Sequence, residues 1–259
     1  MHPARIAELL KPFLTPCYSA EYGDEEPAVL FPAQLQSISI YIDILLRWNA
    51  QINLTAVRDP DQIVTRHFGE SLFAARHLFP SRGLSPQTNR EGHDFNRANI
   101  PAHHDGALAP EGSADSTQKA PGSTSVADLG SGAGFPGLPF KLWAPPISLT
   151  LIESNQKKST FLREVIRALA LTDVNVQNAR AQALAGATFD LVTLRAVESF
   201  GTILPVAAGL VAPGGRLAVL IGSAQLEPAR SALPQLSWSN PEPIPNSRNR
   251  ILAIAHCPT

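Results

Sequence analysis

Two carboxylates and a run of glycines are the residues of this chain best spaced to act together on a ligand. The run is Val126-Ala127-Asp128-Leu129-Gly130-Ser131-Gly132-Ala133-Gly134-Phe135-Pro136-Gly137. Glycines let a backbone turn tightly and approach a ligand closely, and Pro136 suits the first turn of a following helix. Gly132, Gly134 and Gly137 satisfy the G-x-G-x-x-G spacing of dinucleotide-binding loops, a match that alone does not choose the ligand. Asp128 stands just before the loop. A carboxylate is repelled by a pyrophosphate at close range. Asp128 therefore favours a ligand with positive charge, such as the amino group or sulfonium of S-adenosylmethionine. The alternative for Asp128 is a solvated strand end or a helix cap. Glu153 ends the next apolar run, 23 residues after Gly130, where a carboxylate can accept hydrogen bonds from both ribose hydroxyls. A nicotinamide dinucleotide shares that second feature, so Asp128 is the discriminating residue.

Other chemistries find little support. No Ser/His/Asp triad and no paired acid–base carboxylates stand out. Cys17 and Cys257 lie at opposite ends of the chain, in neither a zinc spacing nor a disulfide framework. His93, His103 and His104 sit beside Asp94 and Asp105 in a polar stretch, but nothing there pre-organises ligands, so a solvated loop is expected and no metal is assigned.

The elements that must position Asp128 and Glu153 are legible from periodicity. From Ser125 onward the chain alternates strand and helix. The strands are expected at Val126–Leu129, Ser148–Glu153, Asn175–Gln177, Leu191–Leu194, Leu217–Ile221 and Ile251–Ala255. The helices are expected from the glycine loop to about Trp143, at Asn155–Ala170 and at Phe200–Leu210. Pro213-Gly214-Gly215 reads as a turn. This alternation predicts an α/β fold with a doubly wound, mostly parallel sheet, whose ligands sit beyond the strand carboxyl ends. Upstream, Leu35, Ile38, Ile42, Leu45, Leu46, Trp48 and Ile52 recur at helical spacing. Asp59-Pro60 reads as an N-cap followed by proline at the first helical position, and opens a helix with Ile63, Val64, His67, Phe68, Ser71, Leu72 and Ala75 on one stripe. A further short helix is expected around Ile6–Leu10.

The expected organisation is a helical extension over 1–80, a disordered insertion over 81–124 rich in Gly, Pro, Ser, Asn and Asp, and a ligand-binding core over 125–259. The core and residues 30–80 are expected to form one globular unit. With 259 residues, 44% hydrophobic and 17% charged, the chain is large enough to bury its own core. Lys+Arg is 21 against Asp+Glu 22, so a nucleic-acid partner must be met by a local patch and not by a global field. No stretch reaches the roughly 18 apolar residues of a membrane span. The opening residues do not read as a signal peptide, and a cytoplasmic location is expected.

Four segments together resemble a known family. They are WNAQINLTAVRDPDQIVTRHFGESL (Trp48–Leu72), VADLGSGAGFPGLPFKL (Val126–Leu142), LIESNQKKSTFLREV (Leu151–Val165), and the pair NARAQ (Asn178–Gln182) with FDLVTLRAV (Phe189–Val197). The glycine loop resembles motif I of class I methyltransferases. The whole set resembles the bacterial small-subunit ribosomal RNA guanine-N7 methyltransferase G family, also called glucose-inhibited division protein B. The resemblance implies a Rossmann-like methyltransferase fold with an N-terminal helical extension. It implies methyl transfer from S-adenosylmethionine to N7 of a single guanine, the guanine 527 class, in 16S rRNA. It also implies cofactor contacts at Gly130, Phe135, Ala181, Gln182 and Arg195, to which the residue reading adds Asp128, Glu153 and Gly132. Substrate as naked rRNA, a 30S subunit or an assembly intermediate, a monomeric enzyme, and no metal are the accompanying expectations.

Guanine N7 carries an in-plane lone pair and no proton, so no catalytic base is expected, only positioning. Cytosine-C5 chemistry would need a cysteine nucleophile near the sheet loops. Exocyclic-amine chemistry would place an Asn/Asp-Pro-Pro-aromatic loop where this chain has Leu194-Arg195-Ala196-Val197. Arg195 is expected over the pocket, on the cofactor or on guanine O6. Arg58, Arg66, His67, Lys157 and Lys158 are candidates for rRNA phosphates, the last two because cations at a helix start oppose the macrodipole. For His67 a hydrogen-bonded core role is the alternative. Three positions depart from the family pattern. Gln182 replaces a glutamate, Glu70 replaces an aspartate, and Ile221-Gly222 stands where Lys-Gly ends the fifth strand. A nicotinamide-dependent oxidoreductase and a non-catalytic RNA-binding assembly factor on the same fold are the competing functions.

Overall fold

The computed structural model describes residues 1–15, 29–80, 123–184, 186–196 and 199–259. Most of the expected insertion, with His93, His103, His104, Asp94 and Asp105, therefore lies outside the described residues, as does Cys17.

Five parallel strands form the centre of the sheet: β1 (Ser125–Leu129), β2 (Ser148–Ile152), β3 (Val174–Gln177), β4 (Phe189–Arg195) and β5 (Val211–Gly222). They are joined on one side by antiparallel β8 (Arg250–His256), which also carries the short β6 (Ser237–Trp238) and β7 (Glu242–Pro243). The order is β3-β2-β1-β4-β5-β8-β6, reversing direction of growth at β1. That switch point between β1 and β4 is where a doubly wound sheet opens a crevice. The mostly parallel α/β fold expected from the sequence is the one present. The Pro213-Gly214-Gly215 segment is not a turn before a strand but an irregularity within β5, where the β4–β5 register shifts between Phe189 and Leu191. Short β6 and β7 carry too few residues for a period to be read.

Alternation along the strands feeds two cores. Val126, Leu149, Leu151, Leu191, Ala218, Leu220 and Leu252 face one side, in a cluster that runs back through Tyr41 to Ile6. Ala127, Leu129, Ile152, Val192, Leu194, Val219 and Ile221 face the other, against α7 (Phe200–Gly209) and α8 (Leu226–Ala232). Strands buried on both faces read as continuous apolar runs, which is why they were visible in the sequence.

The N-terminal helices cover the first face. α1 (Pro3–Leu14) starts with His2 accepting from the Ala4 N–H and buries Ile6, Leu10, Phe13 and Leu14, a longer element than the one expected around Ile6–Leu10. α2 (Pro32–Asn49) buries Ile38, Tyr41, Ile42 and Leu45. Asp59 caps the short α3 (Pro60–Gln62) through the Gln62 N–H, as expected. The chain then runs as a π-helix over Ile63–Gly69 before α4 (Glu70–Leu78). π-Turns gather at functional sites, and this one delivers His67 and Glu70 to the sheet. Gly69 is required there, because an added Cβ would lie 2.6 Å from the Phe13 ring.

Candidate active site at the strand carboxyl ends

The glycine loop leaves β1 and enters α5 (Gly137–Trp143). Gly130, Gly132 and Gly134 have φ of +66°, +55° and +84°, values at which an L side chain is strained. The three fingerprint glycines divide by role. At Gly134 an added Cβ would collide with the Tyr41 hydroxyl and lie 2.6 Å from Leu138, and at Gly137 it would lie 2.7 Å from Asp128 Oδ2. Those two serve packing. Gly132 is open on its Cβ side, with only the Gly130 carbonyl at 3.7 Å, so a ligand can approach the chain closely there.

Asp128 lies beneath the loop. It is fully buried, and its Oδ2 accepts the Gly137 N–H at 3.1 Å while Oδ1 has no partner among the described residues. Burial pushes its pKa up to about 7 against the opposing pull of the Gly137 N–H. Asp128 thus takes the helix-capping position given as its alternative. A carboxyl with no exposed surface holds the first N–H of α5 and is not offered to the cleft. The same contact bears on the ligand. A helix N-terminus holds a pyrophosphate through free N–H groups, and here the chain's own carboxyl takes the first of them.

Glu153 stands at the end of β2, with its Oε2 accepting the Gly132 N–H at 2.9 Å and its Oε1 the Asn155 N–H at 2.7 Å. Its backbone carbonyl takes Asn178 Nδ2 and Ser159 Oγ. One carboxylate thus ties the glycine loop to the start of α6 (Gln156–Ala168), which Asn155 caps through the Lys157 and Lys158 N–H groups. Each oxygen keeps a lone pair for a further donor. Ala181 is buried at the start of a 3-10 turn, and Gln182 beside it is exposed with no hydrogen-bond partner among the described residues.

Phe135 and Arg195 face inward, toward the helical extension. The Phe135 ring is sandwiched between Tyr41, with centroids 5.4 Å apart, and His67, 4.9 Å apart, and meets Phe68 edge-on. The Tyr41 hydroxyl donates to the Ala133 carbonyl, so α2 grips the loop. Arg195, expected over the pocket, is 9% exposed and donates to Glu70 Oε2 at 3.0 Å, to the Arg66 carbonyl and to His67 Nδ1. Arg250 Nε lies 3.0 Å from the same Glu70 oxygen. Two guanidiniums therefore share one buried carboxylate, while Arg195 Nε and the neighbouring Thr193 hydroxyl find no partner among the described residues. Burial lowers the Arg195 pKa against the pull of Glu70.

His67 takes the hydrogen-bonded core position given as its alternative. Arginine only donates, so His67 Nδ1 accepts from Arg195 and its Nε2 carries the proton toward Thr55 Oγ1, 2.8 Å away. Burial and the flanking arginines lower its pKa to about 3, so the ring is neutral and both nitrogens are engaged. Arg58 and Arg66 are exposed, with guanidiniums that have no partner among the described residues, Lys157 is exposed and Lys158 half-buried. The structure brings Gly130, Gly132, Glu153, Ala181 and Gln182 to the strand ends. Arg58 and Arg66 lie on the helical extension. Sequence reading passed over Tyr41 and Arg250 as site-building residues. Tyr41 is one more apolar position on a helical stripe, and Arg250 is one more charge flanking a strand, so neither carries a local signal. No cluster of His, Cys, Asp or Glu able to hold a metal ion is present among the described residues.

The chain as a whole is similar to known proteins. A protein named ribosomal RNA small subunit methyltransferase G from Halorhodospira halophila is 37% identical over 188 residues, 73% of this chain and 69% of that protein. One of the same name from Xanthomonas campestris pv. campestris is 34% identical over 183 residues, 70% of this chain and 66% of that protein. A solved ribosomal protein L11 methylase from Lactobacillus delbrueckii subsp. bulgaricus is 21% identical, with a TM-score of 0.45 over 52% of this chain and 70% of that one. The family model described as rRNA small subunit methyltransferase G matches residues 34–83 and 113–242, which takes in the π-helix, the glycine loop, Glu153 and Arg195 and passes over the centre of the polar stretch. By that match, and by the identity shared with its named members, this chain belongs to the rRNA small subunit methyltransferase G family.

Proposed function

We propose that this chain transfers a methyl group from S-adenosylmethionine to N7 of one guanine, of the guanine 527 class, in 16S rRNA. The observation that carries the cofactor choice is the division of labour between two carboxyl groups. Asp128 occupies the helix N–H that a pyrophosphate would need, and Glu153 stands beside an open, left-handed Gly132. That donor set fits a nucleoside with ribose hydroxyls and no phosphates. Gly130, Gly132, Glu153, Ala181 and Gln182 are the residues that would hold it. S-adenosylmethionine supplies an electrophilic methyl on a sulfonium when bound.

The chain's own task is geometric. Guanine N7 attacks with a lone pair and gives up no proton, so no residue is needed as a base. His67, neutral and doubly hydrogen-bonded, is held out of any proton transfer. The aromatic stack and the Glu70-centred ion pairs fix the loop, β4 and the helical extension as one wall. Holding reactants in line supplies several kcal/mol of the barrier, about 7–11 kcal/mol at the upper end. A guanine within a folded rRNA loop must leave its stack to reach such a site.

Equilibrium binding tests the cofactor choice. S-adenosylmethionine is expected to bind and NAD not to. Tight NAD binding without S-adenosylmethionine binding would move the chain to the oxidoreductase reading. S-adenosylmethionine binding with no methyl transferred to rRNA would move it to the assembly-factor reading.

A further inference from the structure

The net charge of the chain is −1, yet its cations are not evenly spread. α6 alone carries Lys157, Lys158, Arg163 and Arg167 against the single acid Glu164. Glu164 is turned away from them, accepting from Trp48 Nε1 at 2.8 Å and facing Arg47. α7, by contrast, has no charged residue, and the two charges of α8 are paired as Glu227–Arg230. Gln156, Thr160, Arg163 and Arg167 fall at i, i+4, i+7 and i+11 and are all exposed, one continuous outward stripe. Arg167 has no hydrogen-bond or ion-pair partner among the described residues, and Arg163 makes one contact, Nη2 to the Val176 carbonyl at 3.3 Å.

Beside that stripe the sheet ends. β3 is the edge strand, and between it and the second half of α6 lies a hollow of about 500 Å³. Arg163, Arg167 and Asn175 give it polar walls, and Ile166, Leu171 and Val174 an apolar floor. Two guanidiniums one helical turn apart, with no ion-pair partner among the described residues and above an apolar floor, match a single-stranded nucleic acid. The backbone meets the cations and the bases meet apolar surface. The stripe is also continuous with the candidate active site. α6 begins at Asn155, two residues from Glu153, and its rise of 1.5 Å per residue carries the cations about 15 Å from Lys157 to Arg167.

We propose that the outer face of α6 and the hollow against β3 form a second contact surface for the rRNA substrate, with Arg163 and Arg167 on backbone phosphates of a single-stranded segment that leaves the active site past Lys157 and Lys158. This surface rests on the rRNA-methyltransferase reading above and adds to it where the strand runs.

The test compares the wild-type chain with Arg163→Ala/Arg167→Ala, both residues being exposed. Binding to unmodified 16S rRNA and to 30S subunits is measured across a salt series, alongside S-adenosylmethionine binding and methyl transfer. The double variant is expected to keep its Tm, its cofactor affinity and its turnover at saturating RNA. It is expected to lose roughly tenfold or more in RNA affinity, and its log K against log salt slope should fall by about 1.4, or about 0.7 per single-strand phosphate. Arg230→Ala, on the opposite face, serves as a control expected to change none of these. Ultraviolet crosslinking of the wild type to 16S rRNA should modify residues between 163 and 176. Unchanged affinity and slope in the double variant, with wild-type methylation intact, would overturn this surface and leave the proposed function standing. Failure of the wild type to bind or methylate rRNA would overturn both.

Discussion

Replacing Asp128 by asparagine isolates the most unusual electrostatic feature of the site. The carboxyl is fully buried and its pKa rises from 3.8 to about 7. Between those values the folded state holds a proton that the unfolded state releases. The stabilisation is complete below about 3.8 and is lost as pH rises through about 7. At 1.36 kcal/mol per pH unit the whole interval amounts to about 4 kcal/mol, of which about 3 kcal/mol falls between pH 5 and pH 8. His67 acts in the opposite sense. Its pKa falls from 6.5 to about 3, so its contribution is present above 6.5 and is lost as pH drops toward 3. Because the two oppose each other between about pH 4 and 6.5, the wild-type curve alone is uninformative, and the difference from Asp128→Asn is the quantity to measure. Urea denaturation of both proteins at pH 5, 6, 7 and 8 should show the variant gaining about 3 kcal/mol on the wild type across that range. The asparagine oxygen can still accept the Gly137 N–H, so S-adenosylmethionine affinity should stay within a few-fold. A difference that does not vary with pH would refute the buried, proton-holding carboxyl. A hundredfold loss of cofactor affinity would show that Asp128 reaches the ligand cation after all.

Four further substitutions follow from the geometry. Gly134→Ala should cost about 2–4 kcal/mol, because the new methyl meets Tyr41 and Leu138 at a φ of +84°. Gly132→Ala should cost only about 1–2 kcal/mol while weakening the cofactor, a contrast read by Tm and calorimetric titration. Glu70→Ala should lower stability by about 3–5 kcal/mol, since it strips the shared carboxylate from buried Arg195 and from Arg250. A change under about 1 kcal/mol would show those guanidiniums to be solvated. Glu153→Gln should raise the S-adenosylmethionine Kd at least tenfold with Tm lowered by a few degrees, because an amide nitrogen would then face either the Gly132 or the Asn155 N–H. Equal Kd for both proteins would remove Glu153 from the cofactor site.

The parts of this fold written in short-range pattern were legible before the structure. Apolar runs such as Leu191–Leu194 and Leu217–Ile221 gave the parallel strands, and Asp59-Pro60 gave a helix start. The glycine loop and Glu153 gave the strand-end site, because turn chemistry and a strand-ending carboxylate are local signals. What stayed hidden is set by contacts between distant residues. The π-helix over Ile63–Gly69 has an ordinary helical sequence, and its extra-wide turn serves to bring Glu70 to Arg195, 125 positions away. Arg195 was expected at the cleft because its strand ends there. Its backbone does, but its side chain follows the face of Thr193 inward beneath the helical extension. Asp128 was placed correctly on its strand, yet strand position could not say that the carboxyl would turn to cap α5. Phe135 likewise sits in the expected loop with its ring committed to Tyr41 and His67.

The most direct test of the proposed function is to follow labelled methyl from S-adenosylmethionine into unmodified 30S subunits and into naked 16S rRNA, then digest the RNA and identify the labelled nucleoside. Label in 7-methylguanosine, at a single position, is the predicted result, with the better of the two substrates showing whether the guanine is met in free or assembled RNA. Label in another nucleoside, or none under conditions where S-adenosylmethionine is bound, would contradict it.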